Sequence, residues 1–189
     1  SFAVYTGNAR GWQDDNFVKG DRIELYQKEK RMVAVGNVES ALYNTRQETA
    51  EGQAEKVPVF ASAKRMTYSD IDRVVHYDGG VKARQGTDRI DAEVIDVYLM
   101  KETNEIERMT ADGNVVMTQP GRRGTGDHLL YIAEDESAVL TGRAARVDDE
   151  EKGTVMGAEL TLYKRDDRIL VQNQQGTGRV RSTHRLTKK

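Results

Sequence analysis

The feature that most limits what this chain can fold into is a recurrence. Gly-x-Val/Ala appears as Gly7-Asn8-Ala9, Gly36-Asn37-Val38, Gly79-Gly80-Val81, Gly113-Asn114-Val115, Gly142-Arg143-Ala144 and Gly178-Arg179-Val180. A short β-like run precedes each copy, as in Met32-Val33-Ala34-Val35 and Ala138-Val139-Leu140-Thr141. A second half-motif stands upstream of five of these glycines. It reads Gly20-Asp21-Arg22-Ile23-Glu24-Leu25-Tyr26, and returns as Ala63 to Tyr68, Ala92 to Tyr98, Gly126 to Tyr131 and Gly157 to Tyr163. Each copy opens on a small residue. Three positions on comes Ile, Met, Ile, Leu or Leu, and two positions later Leu, Tyr, Val, Tyr or Leu. The unit is therefore a strand ending at Tyr, a polar turn, a second strand and Gly-x-Val/Ala. Self-similarity of this kind points to a repeated supersecondary unit, and the period-2 alternation makes that unit antiparallel β.

Composition agrees with a sheet that keeps one wet face. Of 189 residues only 37% are apolar while 32% are charged, less apolar content than a compact two-layer globule requires. Seventeen glycines and two prolines suit strand ends and bends. Gly36 reads as a bulge or corner, because it lets a strand bend without a Cβ clash. The whole chain, residues 1–189, reads as one all-β domain. A polar insertion loop at about 43–57 interrupts it, since Gly52 and the missing apolar stripe argue against a helix there. Gly11 to Gly20 reads as a polar turn carrying the sole tryptophan, Trp12, as a loop anchor or a rim contact. The basic tail, His184 to Lys189, reads as frayed. The tyrosines differ in parity. Tyr26, Tyr98 and Tyr163 oppose the apolar pair before them and Tyr68 and Tyr131 share its parity, so one stack or two stays open.

Several chemistries lack a signature. His76, His128 and His184 are too far apart for metal-ligand spacing, and with no cysteine there is no thiolate site or disulfide. No Gly-x-Ser-x-Gly elbow exists, and Gly121 to Gly126 lacks the Gly-Lys-Ser/Thr ending of a phosphate loop. The carboxylates at Asp14-Asp15, Asp148 to Glu151 and Asp166-Asp167 lack calcium-loop spacing and read as solvated turns. A net charge of -2 makes no case for nucleic acid. The expectation is a non-enzyme with no catalytic residues, no metal and no cofactor.

The half-motifs resemble the OstA-like family of lipopolysaccharide transport proteins, which includes LptA, LptC and the periplasmic N-terminal domain of LptD. Gly20 to Val38 and Ala92 to Val115 carry the resemblance most closely, and the other copies extend it over nearly the whole chain. It implies an antiparallel β-jellyroll, open along one side like a folded taco, and a periplasmic location, with any membrane tether on a segment absent from this chain. It implies that lipopolysaccharide or a related lipid lays its acyl chains between the two sheets and passes toward the outer membrane along a transport bridge. The implied partners are other OstA-like transport components joined through end-strand pairing, including a head-to-tail homo-oligomer. The alternative is a structural β-repeat scaffold that polymerises through its end strands without carrying lipid.

By pattern, the trough-lining candidates are Ile23, Leu25, Val33, Val35, Met66, Tyr68, Ile95, Val97, Met109, Leu129, Val139, Leu160, Leu162, Ile169 and Val171. The same residues would equally make a closed core. Lys64, Arg65, Arg122 and Arg123 read either as rim cations for lipid phosphates or as solvated turns.

Overall fold

The computed structural model describes residues 1–13, 16–43, 46–48, 54–164, 168–172 and 181–183. Alternating sequence gives long strands: β1 (Phe2–Gln13), β2 (Asn16–Tyr26), β3 (Arg31–Leu42), β6 (Val59–Ser69), β7 (Val74–Gln85), β8 (Asp88–Leu99), β9 (Ile106–Gln119), β10 (Arg122–Ile132), β11 (Ser137–Asp149) and β12 (Gly153–Tyr163). Shorter strands are β4 (Arg46–Glu48), β5 (Ala54–Lys56), β13 (Arg168–Gln172) and β14 (Arg181–Thr183). Among the described residues there is no helix. One antiparallel sheet runs β1-β2-β3-β6-β7-β8-β9-β10-β11-β12-β13, with β14 also on β12. Apart from the separate β4–β5 pair, which the chain passes between β3 and β6, and β14, which returns to β12, each strand pairs with the next in sequence, so the sheet is a meander. It is the antiparallel β-jellyroll that the family resemblance implies.

The two half-motifs turn out to be partners across one structural feature. Where each described Gly-x-Val/Ala copy meets the next strand of the sheet, the register slips. Gly7 and Asn8 stand opposite Asp21 alone, and the same slip falls between Val35 and Val38 on β3 and between Asp78 and Val81 on β7. The extra residue is a β-bulge, which bends the strand and increases its twist. Gly36 and Asn37 sit at φ of 75° and 46°, and Gly113 and Asn114 at 80° and 50°. That left-handed backbone favours Gly and Asn. The partner strand turns the same corner by breaking its alternation. Gly20 and Ile23, Ala63 and Met66, and Ala92 and Ile95 all face inward although they are three residues apart. The residue between, such as Asp21 or Glu93, packs over the bulge: a Cβ on Gly113 would lie 2.8 Å from Glu93 Cγ. Asn37 Nδ2 donates to Asp21 Oδ2 at 3.0 Å and locks the corner.

Bends repeated strand after strand make a fold line, and the sheet closes along it into two leaves. A side-chain contact proves the closure. β8 and β12 are four steps apart in the sheet, about 19 Å on a flat surface. Yet Lys164 Nζ lies 3.3 Å from Asp88 Oδ2. The core sits between the leaves, and its fully buried large side chains include Tyr77, Ile95, Leu129, Leu140 and Leu160.

Two segments differ from the sequence reading. Gly11–Gln13 and Asn16–Gly20 are strand rather than turn, with Trp12 paired to Phe17. Within the 43–57 insertion, Arg46–Glu48 and Ala54–Lys56 pair antiparallel, apart from the main sheet. These short polar strands carry no apolar alternation, so periodicity has nothing to detect and backbone pairing alone defines them.

Candidate functional site

Register assigns the residues of the long strands to a face. In the first leaf two apolar rows run across the sheet on the inner side. One is Ile23, Ala34, Met66, Tyr77, Ile95, Ala111, Leu129, Leu140, Leu160 and Val171. Beside it run Leu25, Met32, Tyr68, Val75, Val97, Met109, Tyr131, Ala138, Leu162 and Ile169. Twelve of the fifteen sequence candidates are therefore brought together on this wall. Val33, Val35 and Val139 are not. Val33 pairs with Glu24 and Thr67, Val35 with Arg22 and Arg65, and Val139 with Leu130 and Thr161, all on the outer face. The run Met32-Val33-Ala34-Val35 is apolar at every position, so alternation cannot choose its inner face; pairing of Ile23 with Ala34 does.

The facing leaf was absent from the candidate set. It contributes Val18, Val38, Ala61, Val81, Ile90, Val115, Met117, Ala145, Val147 and Val155 to the same cluster. A signal for it existed in the third residue of the repeated motif: Ala9, Val38, Val81 and Val115 are all buried. In the fifth copy Ala144 is exposed and Ala145 takes the buried place. The sixth copy, with Asp14-Asp15, Asp166-Asp167 and His184 to Lys189, lies outside the described residues.

Between the leaves is a cavity of about 530 Å³. Its floor includes Ala61, Tyr77, Val81, Ile95, Val97 and Leu129, and its rim includes Gln85, Asp88, Gln119, Arg122 and Lys164. The apolar interior holds a buried polar pair. The hydroxyls of Ser40 and Tyr77 share a hydrogen bond of 2.8 Å from leaf to leaf. Burial pushes the Tyr77 phenol up to about 12, against a smaller downward pull from Ser40. Burial, then the negative charges of Glu136 and Asp88, also raise the Tyr131 phenol. At the rim Arg122 donates to Asp149 Oδ2 at 3.1 and 2.8 Å. Their side chains are only 10% and 9% exposed. Burial works to raise the Asp149 carboxyl, but the Lys152 backbone N–H and Arg122 outweigh it and hold the group below its ordinary range.

Of the rim cations, Arg122 is thus an inward, paired group, whereas Lys64, Arg65 and Arg123 are exposed. His76 and His128 lie on the outer face: His76 Nδ1 is 2.7 Å from Asp96 and His128 Nδ1 is 2.6 Å from Asp112. Among the described residues no group of three or more His, Cys, Asp or Glu could hold a metal. The tyrosines form two sets. Tyr26, Tyr98 and Tyr163 lie outside, each beneath a cross-strand arginine, with Arg108 3.5 Å from the Tyr98 ring centre. Tyr68 and Tyr131 line the inner row. Trp12, which the sequence reading placed in a loop, is a strand residue on the outer face, 5.7 Å from Phe17 between ring centres.

These features define a class: an open, folded-over β-jellyroll with an apolar interior between its two leaves. Residues 61–168 match the family described as LptA/(LptD N-terminal domain) LPS transport protein, and the chain belongs to that family. Among solved structures it is similar to LptH from Pseudomonas aeruginosa, described as the LptA homologous periplasmic component of the conserved lipopolysaccharide transport device. That match has a TM-score of 0.60 and 18% identity over 68% of this chain and 96% of LptH, and it shows a shared fold. No curated protein matches the chain.

Proposed function

We propose that this protein carries lipopolysaccharide in the periplasm by holding its acyl chains between the two leaves. Family membership supports the transport role. The observation that carries the binding mode is the pair of continuous inner rows, from Ile23 to Val171 and from Leu25 to Ile169, facing a cavity that opens between charged edges. An acyl chain gains about 0.8 kcal/mol for each CH₂ taken from water. Spread over many side chains, that gain holds the cargo without fixing it in one register, which is what onward transfer requires.

The end strand supports assembly into a bridge. Among the described residues β1 pairs with β2 alone, and Phe2, Val4 and Tyr5 are exposed along it. An unpaired edge with apolar side chains is a template for a strand of another subunit, either a second copy or another member of the transport family. A scaffold without cargo shares this edge but has no need of the trough.

The test is saturable binding of purified lipopolysaccharide by the wild type and by Leu25→Asp and Ile169→Asp, both half-buried on the inner wall, with Leu130→Asp on the outer face as control. Binding lost in the first two and kept in the third supports the trough. A folded wild type that binds nothing sinks it and leaves the scaffold.

A further inference from the structure

The trough is open along one side, yet its two edges touch. Asp88 begins β8 after the two-residue turn Gly86-Thr87, at the edge of one leaf. Lys164 follows β12, at the edge of the other. Their side chains meet at 3.3 Å, with Lys164 37% and Asp88 25% exposed. Both are held ready. Gln119 Nε2 donates to Asp88 Oδ2 at 3.3 Å, and the Lys164 backbone N–H donates to Glu136 O at 3.1 Å. Asp88 and Lys164 line the same cavity as Tyr131, Ala138 and Leu162.

We infer that Asp88 and Lys164 form a clasp across the mouth of the trough, which opens to admit acyl chains sideways and recloses over them. The inference rests on the acyl-chain reading above. A lipid with a bulky polar head cannot thread head-first between the leaves, so its chains enter along the open side and pass this contact. Half-exposed ion pairs of this kind shift an equilibrium by only about two- to fivefold. That is enough to favour the closed mouth and little enough to let it open. The leaves join along the fold line, where the Gly-Asn bulges concentrate the bend.

The sequence has no cysteine, so Asp88→Cys/Lys164→Cys carries just two thiols. The probe is lipopolysaccharide with a fluorophore on its core sugars. Protein linked by a short bismaleimide before loading is expected to lose uptake, while the same variant capped with N-ethylmaleimide, which lacks the ion pair, is expected to load about two- to fivefold faster than the wild type. Linked after loading, it is expected to retain the lipid on dilution. Equal loading by linked and capped protein overturns the clasp and leaves the trough standing. Failure of the two thiols to link within one chain also overturns it. Failure of wild type and capped protein alike to take up lipid overturns the trough, and the clasp with it. A charge series checks the ion pair separately. Lys164→Glu is expected to speed loading about two- to fivefold, and Asp88→Lys added to it to restore the original rate; three equal rates overturn the pair's role.

Discussion

At the residue scale, the corner positions carry the fold. Gly36 has φ of 75°, and a Cβ there would run into the Asp21 carboxylate. Gly36→Val therefore combines a strained backbone with a clash, and should cost about 1–3 kcal/mol in urea unfolding. A cost within error of zero would mean that the corner is not built on this glycine. Tyr77 makes a second prediction. Tyr77→Phe leaves the buried Ser40 hydroxyl unpaired and should cost about 1–3 kcal/mol near neutral pH. Because burial raises the folded-state phenol from its ordinary value of 10.0 to about 12, the sign of its pH dependence is fixed. Below the unfolded-state value both states keep the proton and the stabilisation is fully present. Above it the unfolded chain ionises first, and stability falls by roughly 1.4 kcal/mol per pH unit until the folded phenol also titrates. Unfolding midpoints measured on both sides of that window should show a shallower alkaline loss for Tyr77→Phe than for the wild type.

At the scale of strands, face decides consequence. Leu129 and Val139 lie on adjacent strands and both were trough candidates, but Leu129 is fully buried inside and Val139 is half-buried outside. Leu129→Ala should cost about 2–5 kcal/mol, since it opens a cavity in a packed wall. Val139→Ala should cost nearer 1 kcal/mol, the ordinary penalty of a partly exposed site. Thermal unfolding of the pair checks the assignment, and equal costs would contradict the register. Much of this was legible in the sequence. The half-motif residues Ile23, Leu25, Met66, Tyr68, Ile95, Val97, Leu129, Leu160 and Leu162 all face inward, and Tyr131, which the pattern did not single out, joins them. The returning strands β3 and β11 were harder, because Met32 to Val35 and Ala138 to Leu140 are apolar on both faces and only the neighbouring strand breaks the tie.

At the scale of the molecule, the sheet is a continuous ribbon with a free first strand. Lysines placed at Val4 and Tyr5 should shift the protein toward monomer in sedimentation at high concentration, because charge on an edge opposes strand addition. An unchanged distribution would remove β1 from the assembly. The same ribbon explains why 37% apolar residues suffice. Folding one sheet on itself buries a single inner surface and leaves the outer face to His76–Asp96, His128–Asp112 and the tyrosine–arginine pairs.

The sequence by itself determined the repeat, the strands of the repeated unit and the corner positions, because these depend on local matters: period-2 alternation, and glycine's access to positive φ. Which valines of β3 face inward, that the Gly-x-Val valines line a second wall, and that Asp88 meets Lys164 were decided only in three dimensions. Each depends on register or on the angle between leaves, and both are summed over many bulged strand pairs. No single stretch of sequence contains that sum.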